Sequence, residues 1–126
     1  MWTYRCYDDG EEPNLWQRWY ESNREFNGTH DAVFRALESM TAWDEPYTKY
    51  LDKKNRIVEV RLTGSPKHRI LGCYSGRRYE FIILGTCIHK QRVYTPKDIQ
   101  KTVAKRKKEI EQDSERTKPC VRPRRP

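Results

Sequence analysis

From Trp2 to Tyr7 apolar and polar side chains alternate, with Trp2, Tyr4 and Cys6 on one side and Thr3, Arg5 and Tyr7 on the other, the period of a half-buried strand. Asp8, Asp9 and Gly10 end it. From about Glu12 the period lengthens, and Leu15, Trp16, Trp19 and Tyr20 fall on one helical face behind acidic residues suited to the positive end of a helix dipole. Asn27 and Gly28 are expected to break this helix. Thr29 then caps a second one, whose Val33, Ala36, Leu37 and Met40 follow the i, i+3, i+4, i+7 spacing. Pro46 marks a loop beyond the helical pair.

Ile57 to Leu62 places Val58, Val60 and Leu62 on one face of a strand and Ile57, Glu59 and Arg61 on the other. Thr63-Gly64-Ser65-Pro66 reads as a turn and His68 to Tyr74 as the next strand. Ser75-Gly76 turns the chain into Tyr79 to Ile88, whose near-continuous apolar middle fits a central strand covered on both faces. Thr95-Pro96-Lys97-Asp98 predicts a helix start with Thr95 as cap, and Ile99, Val103 and Ile110 give that helix a narrow apolar stripe. The expected class is α+β: a twisted antiparallel sheet, two N-terminal helices packed on one face, and a C-terminal basic helix. Residues 1–114 read as a single domain and 115–126 as a basic, disordered tail interrupted by Pro119, Pro123 and Pro126.

A chain of 126 residues can hide about two-thirds of its unfolded surface, enough for one core. Only 35% of it is hydrophobic, so that core must lean on four Trp, eight Tyr and three Phe. Trp16 and Trp19 are accordingly read as core rather than as a base-stacking platform. The longest apolar run, Phe81 to Leu84, is far too short to cross a bilayer, and the expected setting is soluble and cytoplasmic. Cys6, Cys73, Cys87 and Cys120 are scattered without a CxxC pair, which reads as reduced thiols; Cys73 and Cys87, inside strands, act as small hydrophobes. No metal site or cofactor is signalled. His30 and His68 read as surface residues near element starts.

Charge changes the picture. Residues 1–55 carry 7 Lys+Arg against 11 Asp+Glu, whereas residues 56–126 carry 19 against 7. A basic half joined to an acidic half implies that one surface meets phosphate. After the third strand come cations, an imidazole and a phenol, in His89, Lys90, Arg92 and Tyr94, and then Lys97, Lys101, Lys105 and Lys108 of the last helix.

Several short pieces occur in a telling order. Glu59-Val60-Arg61 is followed by Arg69-Ile70-Leu71, then by Ile83-Leu84-Gly85 leading to His89-Lys90, and Thr95-Pro96 opens the terminal helix. In this the chain resembles the RelE/ParE superfamily, and within it the HigB-like, phage-derived toxins of type II toxin–antitoxin systems. The resemblance implies a RelE-like sheet and a toxin that inhibits translation as a ribosome-associated mRNA endoribonuclease. It also implies a cognate antitoxin, of helix-turn-helix type, whose acidic segment covers the basic surface. The chain departs from the family in His89-Lys90, where two lysines are more usual.

Metal-independent RNA cleavage needs a proton taken from the 2′-OH, charge neutralised on the phosphate, and a proton given to the leaving oxygen. Arg61 and Arg69 are the candidate charge stabilisers, because guanidinium forks match phosphate and never deprotonate. An imidazole titrates near about 6.5, so His89 is a candidate acid or base. Lys90 is another, since crowding by cations eases loss of its proton. Tyr94 is a third, as a phenolate stabilised by the same cations or as a stacking ring. Arg92, Lys97, Lys101, Lys105 and Lys108 are the candidate RNA-binding residues. Two other functions fit the same patch: a non-catalytic nucleic-acid-binding module and a ParE-like inhibitor of DNA gyrase.

Overall fold

The computed structural model describes residues 1–64 and 66–125. Ser65, within the expected 63–66 turn, and Pro126, the end of the expected tail, lie outside the described residues. Strand β1 (Thr3–Tyr7) leads to helices α1 (Leu15–Ser22) and α2 (Asn27–Glu38), then β2 (Thr48–Asp52), β3 (Ile57–Arg61), β4 (Lys67–Tyr74), β5 (Glu80–Lys90) and β6 (Val93–Thr95). Helix α3 (Ile99–Gln112) and β7 (Thr117–Cys120) complete the chain. One sheet runs in the order β2-β3-β4-β5-β1-β7, and β6 pairs with the far end of β5.

The α+β class and the β3–β4–β5 meander are as the periodicity predicts. The sheet is not wholly antiparallel: β1 runs parallel to β5, with Tyr4 beside Phe81 and Cys6 beside Ile83. A parallel neighbour needs a long crossover, and the segment from α1 to β4 supplies one. Helix boundaries also move. Asn14 caps α1 by accepting from the Gln17 amide, so the acidic residues before it lie outside the helix. A 3₁₀ turn at Arg24–Phe26 separates the first two helices, and Asn27-Gly28 opens α2 instead of breaking α1, leaving Thr29 inside the first turn. Thr95 ends β6, and α3 begins only at Ile99, after Asp98.

The alternation along β3 divides two cores. Val58, Val60 and Leu62 pack with Tyr4, Trp16, Trp19, Phe34, Trp43 and Phe81 beneath α1 and α2. Ile57 packs on the opposite face with Leu71, Leu84 and Cys87, beneath Ile99 and Val103 of α3. Gly85 permits that approach, since a Cβ there would stand 2.9 Å from Val103 Cγ1.

Two expectations fail together at the C-terminus. Residues 117–120 are not a disordered tail but an edge strand on β1, where Pro119 is tolerated because an edge leaves half its amides unpaired. Cys120 there forms a disulfide with Cys6, so two of the four cysteines are not reduced thiols. Cys73 and Cys87 remain free and buried, as expected of small hydrophobes, and burial pushes both thiols up to about 12. Nor are His30 and His68 surface residues. Each is buried, accepting a hydrogen bond from an indole: Trp16 Nε1 to His30 Nε2 at 3.1 Å, and Trp19 Nε1 to His68 Nδ1 at 3.3 Å. Among the described residues, no helix is long and apolar enough to cross a membrane.

Candidate functional site

On the α3 face the apolar rows give way to charge at the end of β3 and the start of β4. Strand register decides which side chains meet, because directly paired residues share a face. Arg61 stands opposite Arg69, Arg69 opposite Cys87, Lys67 opposite His89, and His89 opposite Tyr94. Two facing guanidiniums would repel; Glu59, one alternation along β3, compensates them. Its Oε1 accepts from Arg61 Nε at 2.9 Å, and its Oε2 accepts from the Tyr94 hydroxyl at 3.0 Å. Arg69 Nε lies 3.8 Å from the same Oε2, an ion-pair distance without a hydrogen bond. The His89 ring stacks on Tyr94 with centroids 4.3 Å apart and 8° between planes.

Four of the five candidate catalytic residues, Arg61, Arg69, His89 and Tyr94, are thus in one constellation, but they are not equivalent. Arg69 is buried, with Nη1 donating to the carbonyls of Leu62 at 3.3 Å and His68 at 3.1 Å. Its head is spent inside the fold. The Arg61 side chain is 35% exposed, and His89 is half-buried. Burial first, and then the Glu59 carboxylate, push the Tyr94 hydroxyl up to about 12. A phenolate base at neutral pH is therefore disfavoured, because the charge nearest the phenol is an anion rather than the expected cations. Lys90 pairs with Val93, in the alternation opposite to His89 and Tyr94, so the strand directs it to the other face.

The turn between β5 and β6 explains how Tyr94 reaches His89. Gln91 and Arg92 both adopt left-handed φ, 50° and 65°, the geometry of a two-residue hairpin loop matched to strand twist. Arg92 is exposed at its tip. Lys101, Lys105 and Lys108 form one exposed stripe of α3, and Lys97 precedes it. Among the described residues, none of these five cations has an ion-pair partner, whereas Lys107 pairs with Glu111 at 2.8 Å and Arg106 donates to the Leu84 carbonyl at 2.7 Å.

Two residues of the constellation were not among the candidate site residues. Glu59 had a signal, an acid on a strand otherwise apolar, and a carboxylate buried there demands cationic partners. Lys67 had none, since only the register with His89 brings it into place. Among the described residues, no group of three or more His, Cys, Asp and Glu side chains could hold a metal ion. No family model, curated protein or solved structure matches the chain.

Proposed function

We propose that this protein is a metal-independent endoribonuclease of the RelE/HigB-like toxin kind, acting on ribosome-associated mRNA. The observation that carries the reading is the contact chain Arg61–Glu59–Tyr94–His89 on open strand ends, flanked by cations that form no ion pair among the described residues. Within the observed order, β1, two helices, the β3–β4–β5 meander and the basic helix α3 follow one another in support of the same resemblance, with β2, β6 and β7 added to them.

In this reading the RNA backbone lies along Lys97, Lys101 and Lys105 with the scissile phosphate at Arg61. Attack of the 2′-oxygen on phosphorus breaks the bond to the 5′-oxygen and leaves a 2′,3′-cyclic phosphate. Arg61 stabilises the charge building on the non-bridging oxygens, and removing one such preorganised donor costs about 2.7 to 4 kcal/mol in other enzymes. His89 carries one of the two protons, and solvent water carries the other. Glu59 is a positioning residue: its carboxylate, itself buried, fixes Arg61 and Tyr94, and Tyr94 holds the imidazole plane. The partner is a helix-turn-helix antitoxin whose acidic segment competes for the same cations.

A second reading has its own support. With Arg69 tied to carbonyls and Tyr94 protonated, the surface offers phosphate contacts but fewer reacting groups, as a non-catalytic nucleic-acid-binding module would. Purified protein incubated with RNA alone, with translating ribosomes and with gyrase separates these readings. Discrete cuts within translated frames, lost in His89→Ala, are expected. Binding of RNA without cleavage on ribosomes would leave the binding module, and inhibition of gyrase alone would leave the ParE-like inhibitor.

A further inference from the structure

Behind the sheet, on the opposite side from His89, the C-terminal arm builds a second cationic site. Strand β7 and the Cys6–Cys120 disulfide fix the chain two residues before Arg122. Arg122, buried, then anchors the arm on α2: its Nη2 lies 3.0 Å from Glu38 Oε1 and its Nη1 3.7 Å from Asp31 Oδ1. Beyond it a cavity of about 340 Å³ is lined by Gly28, Asp31, Arg35, Arg122, Arg124 and Arg125.

The carboxylates there are already engaged from within. Glu38 accepts from the Tyr4 hydroxyl at 2.7 Å as well as from Arg122, and Asp31 accepts from the Tyr20 hydroxyl at 3.1 Å and meets His30 Nδ1 at 3.2 Å. A carboxylate has about four lone-pair sites, so little capacity remains for the outer arginines. Arg124 stands 3.9 Å from Glu38, Arg125 3.7 Å from Asp31, and Arg35 has no ion-pair partner among the described residues. Among the described residues, four guanidiniums therefore face two occupied carboxylates. Two further features favour an anion. No side chain caps the N-terminus of α2, whose first turn carries Gly28 to the cavity wall, and the positive end of a helix dipole attracts phosphate, although the Asn27 amide is already engaged by the Arg24 carbonyl. Gly28 is also what lets Arg125 close over that turn, since a Cβ there would stand 2.6 Å from Arg125 Nη2.

We propose that this cavity binds a phosphate group carrying two or more negative charges, held by the forks of Arg35, Arg124 and Arg125 against the start of α2. The group is supplied either by a free polyphosphate or by the 5′-terminal phosphate of an RNA. The site does not depend on the ribonuclease reading, because it lies on the other face and uses none of the same residues.

Isothermal titration of the full chain with inorganic pyrophosphate tests it, alongside RNA oligonucleotides bearing a 5′-phosphate or a 5′-hydroxyl. One pyrophosphate should bind per chain. The double variant Arg124→Ala, Arg125→Ala should weaken it about a hundredfold, the effect of losing two charge-assisted contacts of about tenfold each, with the circular dichroism spectrum unchanged. Gly28→Ala, which displaces Arg125 without removing charge, should weaken binding in the same direction. A preference for 5′-phosphorylated over 5′-hydroxyl RNA that Arg124→Ala, Arg125→Ala abolishes would assign the RNA end as the source; no preference, with pyrophosphate still bound, would assign the free anion. Equal pyrophosphate binding by wild type and the double arginine variant overturns the proposal. So does an equal loss in Lys101→Ala, Lys105→Ala, which would show only the diffuse field of a basic protein.

Discussion

The two faces of the sheet are built from different chemistry. Under α1 and α2 the core is made of rings, with Trp16, Phe34, Trp43 and Phe81 in tilted or edge contacts about a buried His30. Under α3 it is aliphatic and shorter, and α3 contributes only Ile99 and Val103 as buried residues. The ring-filled face is closed at its margin by the C-terminal arm, whose Arg122 ties to α2. The α3 face stops short, so its strands run on into Glu59, Arg61, Lys67 and His89. A protein with few hydrophobic residues has covered the margin of one face with its C-terminal arm and left polar strand ends open on the other, where recognition of a polyanion along the strands can be built.

The sharpest way to break this comparison is to release the closed margin. The disulfide spans a sequence separation of 114 residues, and in the chain-entropy model a loop of that order stabilises the fold by about 4 to 5 kcal/mol. Cys120→Ser should lower the urea midpoint accordingly. Reducing agent should bring wild type down to the variant and leave the variant where it is; a wild type indifferent to reduction would show that the arm is held by β7 pairing and Arg122 alone.

On the open face the corresponding change is Glu59→Gln. It removes the one carboxylate between Arg61, Arg69 and the Tyr94 hydroxyl, and uncompensating a buried guanidinium costs about 3 to 5 kcal/mol. Arg61→Ala removes the exposed partner instead and should cost far less stability while abolishing cleavage. If both variants unfold at the same urea concentration, the cluster is not organised around the Glu59 carboxylate.

How much of this contrast was legible follows from which signals are local. The periodicity of Ile57 to Leu62 shows which residues of β3 share each face, and the helical stripe of Leu15, Trp16, Trp19 and Tyr20 shows the ring-filled core. Three strands left no comparable trace. β2 is an edge whose Lys49 and Tyr50 are both exposed, so it lacks clean alternation. β6 follows a Gln91-Arg92 turn without the Gly or Asn that left-handed φ favours. β7 contains Pro119, an argument against a strand unless its edge position is already known. The pairing of Cys6 with Cys120 and the burial of Arg69 are likewise products of register between distant strands. The candidate site was legible as a list of residues, but which of them face solvent was not.

Acid should weaken the ring-filled face in a defined window. Burial lowers His30 from 6.5 to about 4 in the folded protein, outweighing its contact with Asp31. The unfolded chain therefore binds the proton first, so the stabilisation is complete above about 6.5 and is lost as pH falls toward 4, by about 3 kcal/mol in total. His30→Gln keeps an acceptor for Trp16 Nε1 and cannot titrate. The difference in unfolding free energy between wild type and His30→Gln should shrink through this window and become constant below it; a difference independent of pH would show that His30 binds its proton alike in the folded and unfolded chains.

The smallest effect belongs to the open face and leaves stability untouched. Lys101, Lys105 and Lys108 lie on one exposed stripe of α3 and pack against nothing that their removal would uncover. If each displaces a counterion from single-stranded RNA, log affinity against log salt should flatten by about 0.7 for each lysine changed to alanine. Affinity should fall alike for RNAs of different sequence, because phosphate contacts position a strand without reading its bases. The urea midpoint should not move. A salt slope unchanged in the triple variant would place the RNA elsewhere on the surface and separate the α3 stripe from the Arg61–His89 constellation; a flattening of about two units in all would join them into one track across the open face.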